Sequence, residues 1–391
     1  MAEARRLGRR QLEFESLRRH EMRSIHELPT PVALVDADAL EHNLATMAAV
    51  LPGARLRPHV KAHKSTALAD LQRFHGHRNF TCATVREMIG MARAGLGDDL
   101  LLANEVVDEG RLRALAAEQD AAIITVAVDS DATVDAAARA GIRHVLVDVN
   151  IGLPRCGCPP HDAARLADRA RSRGLIVRGV MGYEGHLMVS GDRDAQRRDT
   201  LAAMCVLRDA ATQVGGDIVS AGGTGNHDIH AAHLDETGVT EVQAGSYALM
   251  DTYYSTLGLP FRQALSILGT VVSTQEKWAV ADVGLKSLGM DHGNPTITGH
   301  KVWFCSDEHV TFATEKPGAA SGGGAPRTEP GEAPARAEPG DVATRAAQPA
   351  VGTKIRVLPA HVDPTMAMHH HLWLVRGDEV LDCLPIDLRG W

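Results

Sequence analysis

The sequence lacks the features that would place a protein in a membrane or on a nucleic acid. It has no hydrophobic run long enough to span a bilayer, and its N-terminal region is rich in arginine and glutamate rather than apolar like a signal peptide. Its 41 basic residues are outnumbered by 49 acidic ones, so the net charge is -8, which argues against a nucleic-acid partner. We therefore expect a cytoplasmic protein that binds a small or polar molecule.

Cysteine is also scarce and is not arranged for a zinc or redox site. Six cysteines are scattered over 391 residues, without the paired spacing that zinc sites show. Cys156 and Cys158 stand too close together for the C-x-x-C motif of redox proteins. We expect all six to be reduced thiols, as is usual in the cytosol.

What the sequence does contain is a regular alternation of apolar and amphipathic runs between residues 30 and 255. Short runs rich in Val, Ile and Leu are followed by longer helical patterns, which predicts repeated βα units. Nine strand candidates are present, one more than a (β/α)8 barrel holds. We assign the first, residues 31–35, outside the barrel. The barrel strand candidates are then 56–59, 80–83, 100–103, 123–128, 145–149, 176–181, 218–221 and 240–244.

The helical pattern fades after residue 261. Six short strand-like runs follow, and they predict a mainly antiparallel β domain. Residues 316–350 have little apolar content, so we expect them to form a disordered insertion between two strands. The predicted organisation is an N-terminal arm at 1–29, a barrel at 38–255, and a β domain made of 30–37 and 256–391.

A basic stretch at the end of the first barrel strand has the residues for covalent chemistry. Residues 57–64 include two lysines and two histidines, among them Lys61. A lysine at the mouth of a barrel is expected to lose water, which lowers its pKa and makes its amine a nucleophile, as in Schiff-base enzymes. By composition alone the stretch is typical of a basic surface loop. Its position in the barrel is what favours the chemical interpretation.

Two glycine-rich turns follow the seventh and eighth barrel strands, at residues 222–225 and 245–247. Glycine lets backbone amides approach a ligand closely, and barrels commonly bind phosphate in these two loops. Either turn alone would be interpreted as an ordinary tight turn, but Lys61 would lie beside both on a closed barrel. An amine next to a phosphate cradle is what pyridoxal 5'-phosphate requires.

Several motifs follow one another along the chain. They are Arg57-Pro58-His59, Lys61-Ala62-His63-Lys64, Gly152-Leu153-Pro154-Arg155, Gly222-Gly223-Thr224-Gly225, Gln243-Ala244-Gly245-Ser246-Tyr247, Asp307-Glu308-His309 and Pro359 through Thr365. In this order they resemble the D-threonine aldolase and D-serine dehydratase-like family, which consists of fold-type III pyridoxal phosphate enzymes with an alanine-racemase-like barrel. The resemblance covers about residues 28–391 apart from the insertion.

The resemblance implies roles for individual residues. It implies that Lys61 carries the cofactor covalently, that Arg155 faces the cofactor and that Tyr183 lies by the substrate. The residues of the two glycine turns would hold the phosphate, namely Gly223, Thr224, Gly225, Gly245, Ser246 and Tyr247. It also implies a homodimer, with the β domain of one chain near the barrel mouth of the other.

The segment 359–365 contains a His-x-Asp pair that could bind a metal. On an extended segment residues i and i+2 face the same way, so His361 and Asp363 could share one divalent ion. Alone, such a pair is more typical of a structural hydrogen bond. The resemblance implies a metal here, with His-x-Cys in the dehydratases, and the hard oxygen of Asp363 suits manganese, or else magnesium. That difference favours an aldolase. The resemblance also implies that His309 lies near the metal.

The sequence therefore predicts a metal-activated aldolase that cleaves D-β-hydroxy-α-amino acids by a retro-aldol reaction, with D-threonine giving glycine and acetaldehyde. His59, His63 and His309 are candidates for the base that takes the hydroxyl proton, and the sequence does not rank them. The alternatives are a D-serine dehydratase, an enzyme of 3-hydroxy-D-aspartate, a non-catalytic pyridoxal phosphate-binding protein and a racemase.

Overall fold

The structure is a computed structural model and describes residues 22–315 and 347–391. Its strands are β1 (Val32–Asp36), β2 (Asn79–Cys82), β3 (Asp99–Leu102), β4 (Ile123–Val128), β5 (His144–Asp148), β6 (Ile176–Met181), β7 (Ile218–Ala221), β8 (Glu241–Val242), β9 (Leu265–Thr274), β10 (Ala279–Ala281), β11 (His300–Cys305), β12 (Val310–Thr314), β13 (Lys354–Val357), β14 (His371–Arg376) and β15 (Glu379–Pro385).

The α-helices are short except for one. They are α1 (Ala37–Val50), α2 (Thr66–Phe74), α3 (Val85–Arg93), α4 (Glu109–Ala116), α5 (Asp131–Ala140), α6 (Ala163–Ser172), α7 (Arg193–Val214), α8 (His227–Ala232), α9 (Leu234–Thr237), α10 (Thr252–Ser255) and α11 (Val362–Met368). Most helices that follow a barrel strand begin at a residue whose side chain accepts a hydrogen bond from the first turn, such as Thr84 for α3 and Asp192 for α7.

Strands β2 to β8 form a parallel sheet in sequence order. The segment 56–59 closes this sheet into a barrel, because Leu56 bridges Val242 of β8 and His59 bridges Thr81 of β2. These contacts are single bridges rather than a continuous ladder. Pro58 has no N–H to donate, which explains why the predicted first strand is interrupted at its centre. The predicted fold class, an alanine-racemase-like barrel with a mainly antiparallel β domain, is confirmed.

The N-terminal end of the barrel is filled by a buried charge network. The side chain of Arg57 is 1% exposed and contacts Glu241 at 2.8 Å and Asp99 at 3.3 Å. Arg178 contacts the second oxygen of Asp99 at 2.6 Å. Because each carboxylate faces at least one guanidinium, the charges are paired where water is excluded. This plug leaves the opposite, C-terminal end of the strands as the open end of the barrel.

The second sheet has the order β11-β12-β10-β9-β1-β14-β15, and β13 also pairs with β9. Strand β1 pairs antiparallel with β9 and parallel with β14, so the first strand candidate lies in this sheet and not in the barrel. Strand β12 was not among the predicted strands. The predicted domain boundaries stay a prediction. Most of the predicted arm and most of the predicted insertion lie outside the described residues.

Candidate active site

A cavity of about 220 Å³ opens at the C-terminal ends of the barrel strands. Its lining combines one lysine, one arginine, two carboxylates and two tyrosines with the glycine turns. The lining residues are His59, Lys61, Ala83, Ala103, Asn104, Glu105, Asp148, Arg155, Cys156, Met181, Tyr183, Gly222, Gly223, Thr224, Gln243, Gly245, Ser246 and Tyr254. The structure thus brings together eight of the residues that the sequence proposed for the site.

Lys61 lies on a 3-10 turn, Val60–Ala62, directly after the segment that closes the barrel. Its Nζ lies 3.5 Å from Oδ2 of Asp363, and its side chain is 36% exposed. Burial lowers the pKa of Lys61, as the sequence led us to expect, but Asp363 and Tyr183 raise it by more, so the net direction is upward. The expected low pKa is therefore wrong for the amine beside Asp363, because the expectation left out that carboxylate.

The two glycine turns come together beside Lys61. The hydroxyl of Thr224 in the first turn accepts a hydrogen bond from the backbone N–H of Tyr247 in the second, at 3.0 Å. Both turns begin 3-10 helices, Thr224–Asn226 and Ser246–Ala248, and the first N–H groups of a helix have no earlier carbonyl to bind. Such amides form a suitable cradle for a phosphate.

Two glycines of these turns leave no room for a larger side chain. A Cβ atom at Gly225 would overlap the backbone oxygen of Met188, and one at Gly245 would lie 2.6 Å from the backbone oxygen of His59. Gly225 therefore shapes the loop from behind, whereas Gly245 faces the cavity. The residues present fit a phosphorylated cofactor, and Lys61 is the residue that would bind its aldehyde.

Arg155 and Tyr183 line the cavity together. The guanidinium carbon of Arg155 lies 5.2 Å from the centre of the Tyr183 ring, within the range of a cation–π contact. Burial raises the pKa of Tyr183, and the nearby Lys61 lowers it by less, so the phenol is neutral at physiological pH. A cationic group and a neutral phenol thus line the cavity that holds the Lys61 amine.

Two of the predicted site residues, His63 and Tyr247, are buried in the core and do not line the cavity. The ring of His63 is fully buried; its Nδ1 accepts from the N–H of Ser65 at 3.1 Å, and its Nε2 donates to the side-chain amide oxygen, Oε1, of Gln72 at 3.2 Å. Gln72 in turn donates to the hydroxyl of Tyr247 at 3.1 Å. Burial lowers the pKa of His63 to about 4, so this histidine is a neutral part of the packing.

The other two histidine candidates differ in position. His59 lines the cavity, and burial together with the charge of Lys61 holds its pKa well below the ordinary value. His309 is exposed in the turn between β11 and β12 and does not line the cavity. Of the three candidates for the base, only His59 faces the space where a cofactor and substrate would meet.

The segment 359–365, which carries the predicted metal pair, is not the extended segment that was expected. Of residues 361–363, only His361 has extended backbone; the helix α11 begins at the next residue and Asp363 lies in its first turn, so the side chains of His361 and Asp363 do not follow the alternation of a strand. Asp363 points to Lys61 at 3.5 Å, whereas Nδ1 of His361 lies 2.7 Å from Oδ2 of Asp291. Pro364 in the first turn is the signal that could have revealed the helix.

A divalent metal fits this segment on one observation. Among the residues that the structure describes, Oδ1 of Asp363 is buried and has no hydrogen-bond partner, and an orphaned buried oxygen is costly unless something binds it. Ligand atoms of Asp291, His292 and His361 also lie within 4.8 Å of one another. An imidazole donor also suits zinc and copper, whereas carboxylate oxygens favour hard ions such as manganese and magnesium.

One carboxylate pair in the cavity was missed. Burial, and then the neighbouring Glu105, raise the pKa of Asp148 well above its ordinary value. A hydrogen bond to Glu105, and then burial, raise the pKa of Cys156 to about 12. The available signal was a charged residue inside the buried strand candidate 145–149.

A buried aspartate connects the barrel to the metal segment. Oδ1 of Asp251 accepts from the N–H of Tyr254 at 2.9 Å, and its Oδ2 accepts from the N–H of Val362 at 3.0 Å. Burial raises the pKa of Asp251 to about 6 despite these two hydrogen bonds. This single side chain therefore holds Tyr254, which lines the cavity, next to the helix that begins after His361.

Comparison with known proteins defines the class first. The family model described as "Alanine racemase, N-terminal domain" matches residues 35–252, and the model described as "Putative serine dehydratase domain" matches residues 264–375. The barrel with its lysine and glycine turns thus belongs to the alanine-racemase-like proteins. More particularly, the chain belongs to the D-threonine aldolase and D-serine dehydratase-like family of fold-type III pyridoxal phosphate enzymes.

Individual relatives cover nearly the whole chain. The protein is 31% identical to the D-threonine aldolase of Arthrobacter sp. and 30% identical to the 3-hydroxy-D-aspartate aldolase of Paracoccus denitrificans (strain Pd 1222), over 93% of each chain in both cases. It is similar to the crystal structure of D-threonine aldolase from Filomicrobium marinum, with a TM-score of 0.82 and 31% identity, over 94% of this chain and 98% of that one. In the parts of the chain that the structure describes, every helix is too short or too polar to cross a membrane.

Proposed function

We propose that the protein is a metal-activated, pyridoxal phosphate-dependent aldolase that cleaves D-β-hydroxy-α-amino acids, with D-threonine giving glycine and acetaldehyde. The observation that carries this proposal is the contact of 3.5 Å between Lys61 Nζ and Asp363 Oδ2. It joins the amine of the barrel to a carboxylate of the second sheet's helix. An ion held by that carboxylate would therefore lie beside the covalent chemistry rather than at a remote structural site.

The residues of the cavity would each have a separate role in the reaction. When bound, pyridoxal phosphate supplies the electron sink that accepts the pair left by carbon–carbon cleavage. Lys61 would anchor the cofactor, the turns with Gly223 and Gly245 would bind its phosphate, and Arg155 would face its ring. Tyr183 lines the same cavity and would orient the substrate.

His361 and Asp363 would hold the divalent metal, which we propose to be manganese, with magnesium as the alternative. A divalent ion there would bind the substrate β-hydroxyl and make its proton more acidic. Of the three candidate histidines, His59 is the one that lines the cavity, but its Nδ1 already accepts from the backbone N–H of Lys61 at 3.5 Å and its pKa lies well below the ordinary value, so we assign the proton to none of the three. His63 is enclosed and His309 is exposed outside the cavity.

A dehydratase is the second candidate, because the same lysine and metal residues could expel the β-hydroxyl instead of breaking a carbon–carbon bond. The match to the serine dehydratase domain model over residues 264–375 is the observation in its favour. The carboxylate of Asp363 supports the aldolase. Pyruvate and ammonia from D-serine, rather than glycine and acetaldehyde from D-threonine, would identify the dehydratase.

The direct experiment compares the two enantiomers of threonine. Purified holoenzyme is incubated with D-threonine and with L-threonine, each with and without manganese, and aldehyde is measured with a coupled alcohol dehydrogenase. We expect aldehyde from D-threonine in the presence of manganese and none from L-threonine. Absence of aldehyde from both D-threonine and D-phenylserine would overturn the proposal.

We also propose that the protein is a cytoplasmic homodimer. The second sheet supports a subunit contact, because Trp278 and Trp303 are both more than a third exposed and their rings lie 6.0 Å apart. Exposed aromatic residues grouped on one surface are typical of protein interfaces. Light scattering of the purified protein would give the mass of two chains, and a mass of one chain would contradict this.

A further inference from the structure

The surroundings of His361 contain a residue for which the predicted metal pair gives no role. Asp291 lies in the loop between β10 and β11, seventy residues before His361 in the sequence. Its Oδ2 lies 2.7 Å from Nδ1 of His361, a short distance for a hydrogen bond between a nitrogen and a carboxylate oxygen. The contact is therefore a specific feature of the site.

This hydrogen bond fixes the protonation pattern of the His361 ring. A carboxylate can only accept, so Nδ1 of His361 must carry the proton and donate it to Asp291. In a neutral imidazole the other nitrogen, Nε2, then keeps its lone pair. A metal ion requires that lone pair, and metal-binding histidines usually donate their other N–H to a carboxylate or carbonyl.

Stacking holds the same ring in place. The ring centre of His292 lies 4.0 Å from that of His361, and the two planes differ by 8°. His292 also contacts the ring of Tyr253, with centres 4.2 Å apart. The rotation of His361 about its side-chain bonds is thus limited both by a hydrogen bond and by a flat neighbour.

Backbone contacts join the loop that carries Asp291 to the helix that carries Asp363. Gly289 and His361 form an antiparallel bridge, and the N–H of Gly289 donates to the hydroxyl of Thr365 at 2.9 Å. Thr365 donates in turn to the carbonyl of His361 at 2.6 Å. Because these contacts do not involve the Asp291 side chain, changing that side chain should leave the loop in place.

We propose that Asp291 is the positioning residue of the metal site: it holds His361 in the tautomer whose Nε2 is free to bind the ion that Asp363 also binds. This inference rests on the proposed function for the place of the metal. The Asp291 side chain is 54% exposed, so its through-space charge is largely screened by water. Its effect must therefore act through the hydrogen bond to Nδ1, and not through charge alone.

The test measures manganese affinity and the tautomer of His361, without using turnover. Asp291→Ala, Asp291→Asn and the control Glu276→Ala, which removes an exposed carboxylate from the turn between β9 and β10, are titrated with manganese as cofactor-loaded proteins. We expect Asp291→Ala to bind manganese about 10- to 100-fold more weakly. Asp291→Asn keeps an acceptor oxygen and should lose at most about threefold. The control should match the native protein.

Two outcomes would overturn the inference. Native affinity in Asp291→Ala would show that the hydrogen bond is irrelevant to the metal, and equal losses in Asp291→Ala and Asp291→Asn would show that the charge itself binds the ion. Nitrogen-15 shifts of labelled histidine, assigned with His361→Gln, should show Nδ1 protonated in the native protein. Failure of the aldolase assay with these binding results intact would disprove the reaction and leave the role of Asp291 standing.

Discussion

The two sides of the cavity are built in different ways. On the barrel side the first glycine turn, residues 222–225, is held from behind by Glu184, which is fully buried. Its carboxylate accepts from Asn226 at 2.7 Å, from His230 at 2.9 Å and from the N–H of Gly222 at 3.3 Å. Every one of these contacts lies in the core, so the shape of the turn and the packing of the barrel depend on the same atoms.

On the metal side the functional groups are half-buried and come from separate segments. The side chains of His361 and Asp363 are 21% and 20% exposed. They are connected to the barrel through Asp251 and the contact with Lys61. Fewer buried groups depend on each of these side chains. Removing one should therefore weaken metal binding more than it lowers the free energy of unfolding.

The difference suggests how mutations should separate. Changes behind the first glycine turn should lower stability, because a buried polar group that loses its partner costs free energy, and should weaken cofactor binding as well if this turn holds the phosphate as proposed. Changes on the metal side should reduce turnover while the fold and the bound cofactor persist.

Replacement of the cofactor lysine should have the largest effect on activity. In Lys61→Ala we expect turnover to fall by about a thousandfold or more, because no other group can take over the covalent attachment. The visible absorbance of the bound cofactor should disappear with it. The matched control is Lys277→Ala, which removes an exposed lysine from the turn between β9 and β10. Normal absorbance in Lys61→Ala would show that Lys61 is not the attachment site.

Removal of the buried carboxylate should affect stability and cofactor binding together. Glu184→Ala leaves the side chains of Asn226 and His230 without their acceptor, and we expect a loss of about 2–4 kcal/mol in the free energy of unfolding. The affinity for pyridoxal phosphate should fall in the same variant. Urea denaturation and cofactor titration measure the two effects. A variant that lost stability but kept native cofactor affinity would contradict the link between core and cradle.

His63 should contribute to pH dependence rather than to catalysis. Its pKa is about 4 in the fold and about 6.5 when unfolded, so the unfolded chain binds the extra proton as the pH falls through this window. The stability contributed at pH 7 should therefore decrease by about 2 kcal/mol by pH 5. His63→Asn keeps an acceptor for Ser65 and cannot titrate there, so its urea midpoint should vary less between these pH values. An unchanged pH dependence would exclude this role.

The sequence predicts the barrel side better than the metal side, for a physical reason. Lys61 and the glycine turns follow strands directly, so strand order alone places them at one end of the barrel. The pairing of His361 with Asp291 depends on a contact between residues seventy positions apart, for which local pattern carries no information. Residues 361–363 were given the wrong local structure because strand alternation was assumed where the chain begins a helix.

The prediction of a low pKa for Lys61 was wrong for a related reason. Loss of water does lower this pKa, as the barrel position predicts, although the side chain is 36% exposed; Asp363 comes from the other end of the chain and reverses the direction of the shift. A pKa depends on every charge within a few ångströms, and the sequence does not reveal which ones arrive through the fold. The same contact is the one on which the proposed reaction depends.

That contact also defines the most direct measurement, a comparison of native protein and Asp363→Ala with D-threonine in the presence of manganese. We predict that the variant keeps its cofactor absorbance and that its free energy of unfolding stays within about 1 kcal/mol of the native value. Its release of acetaldehyde should fall at least about a hundredfold. Full turnover in Asp363→Ala, or turnover of either protein that persists undiminished in chelator, would contradict the account that Lys61 and a metal on Asp363 serve one reaction.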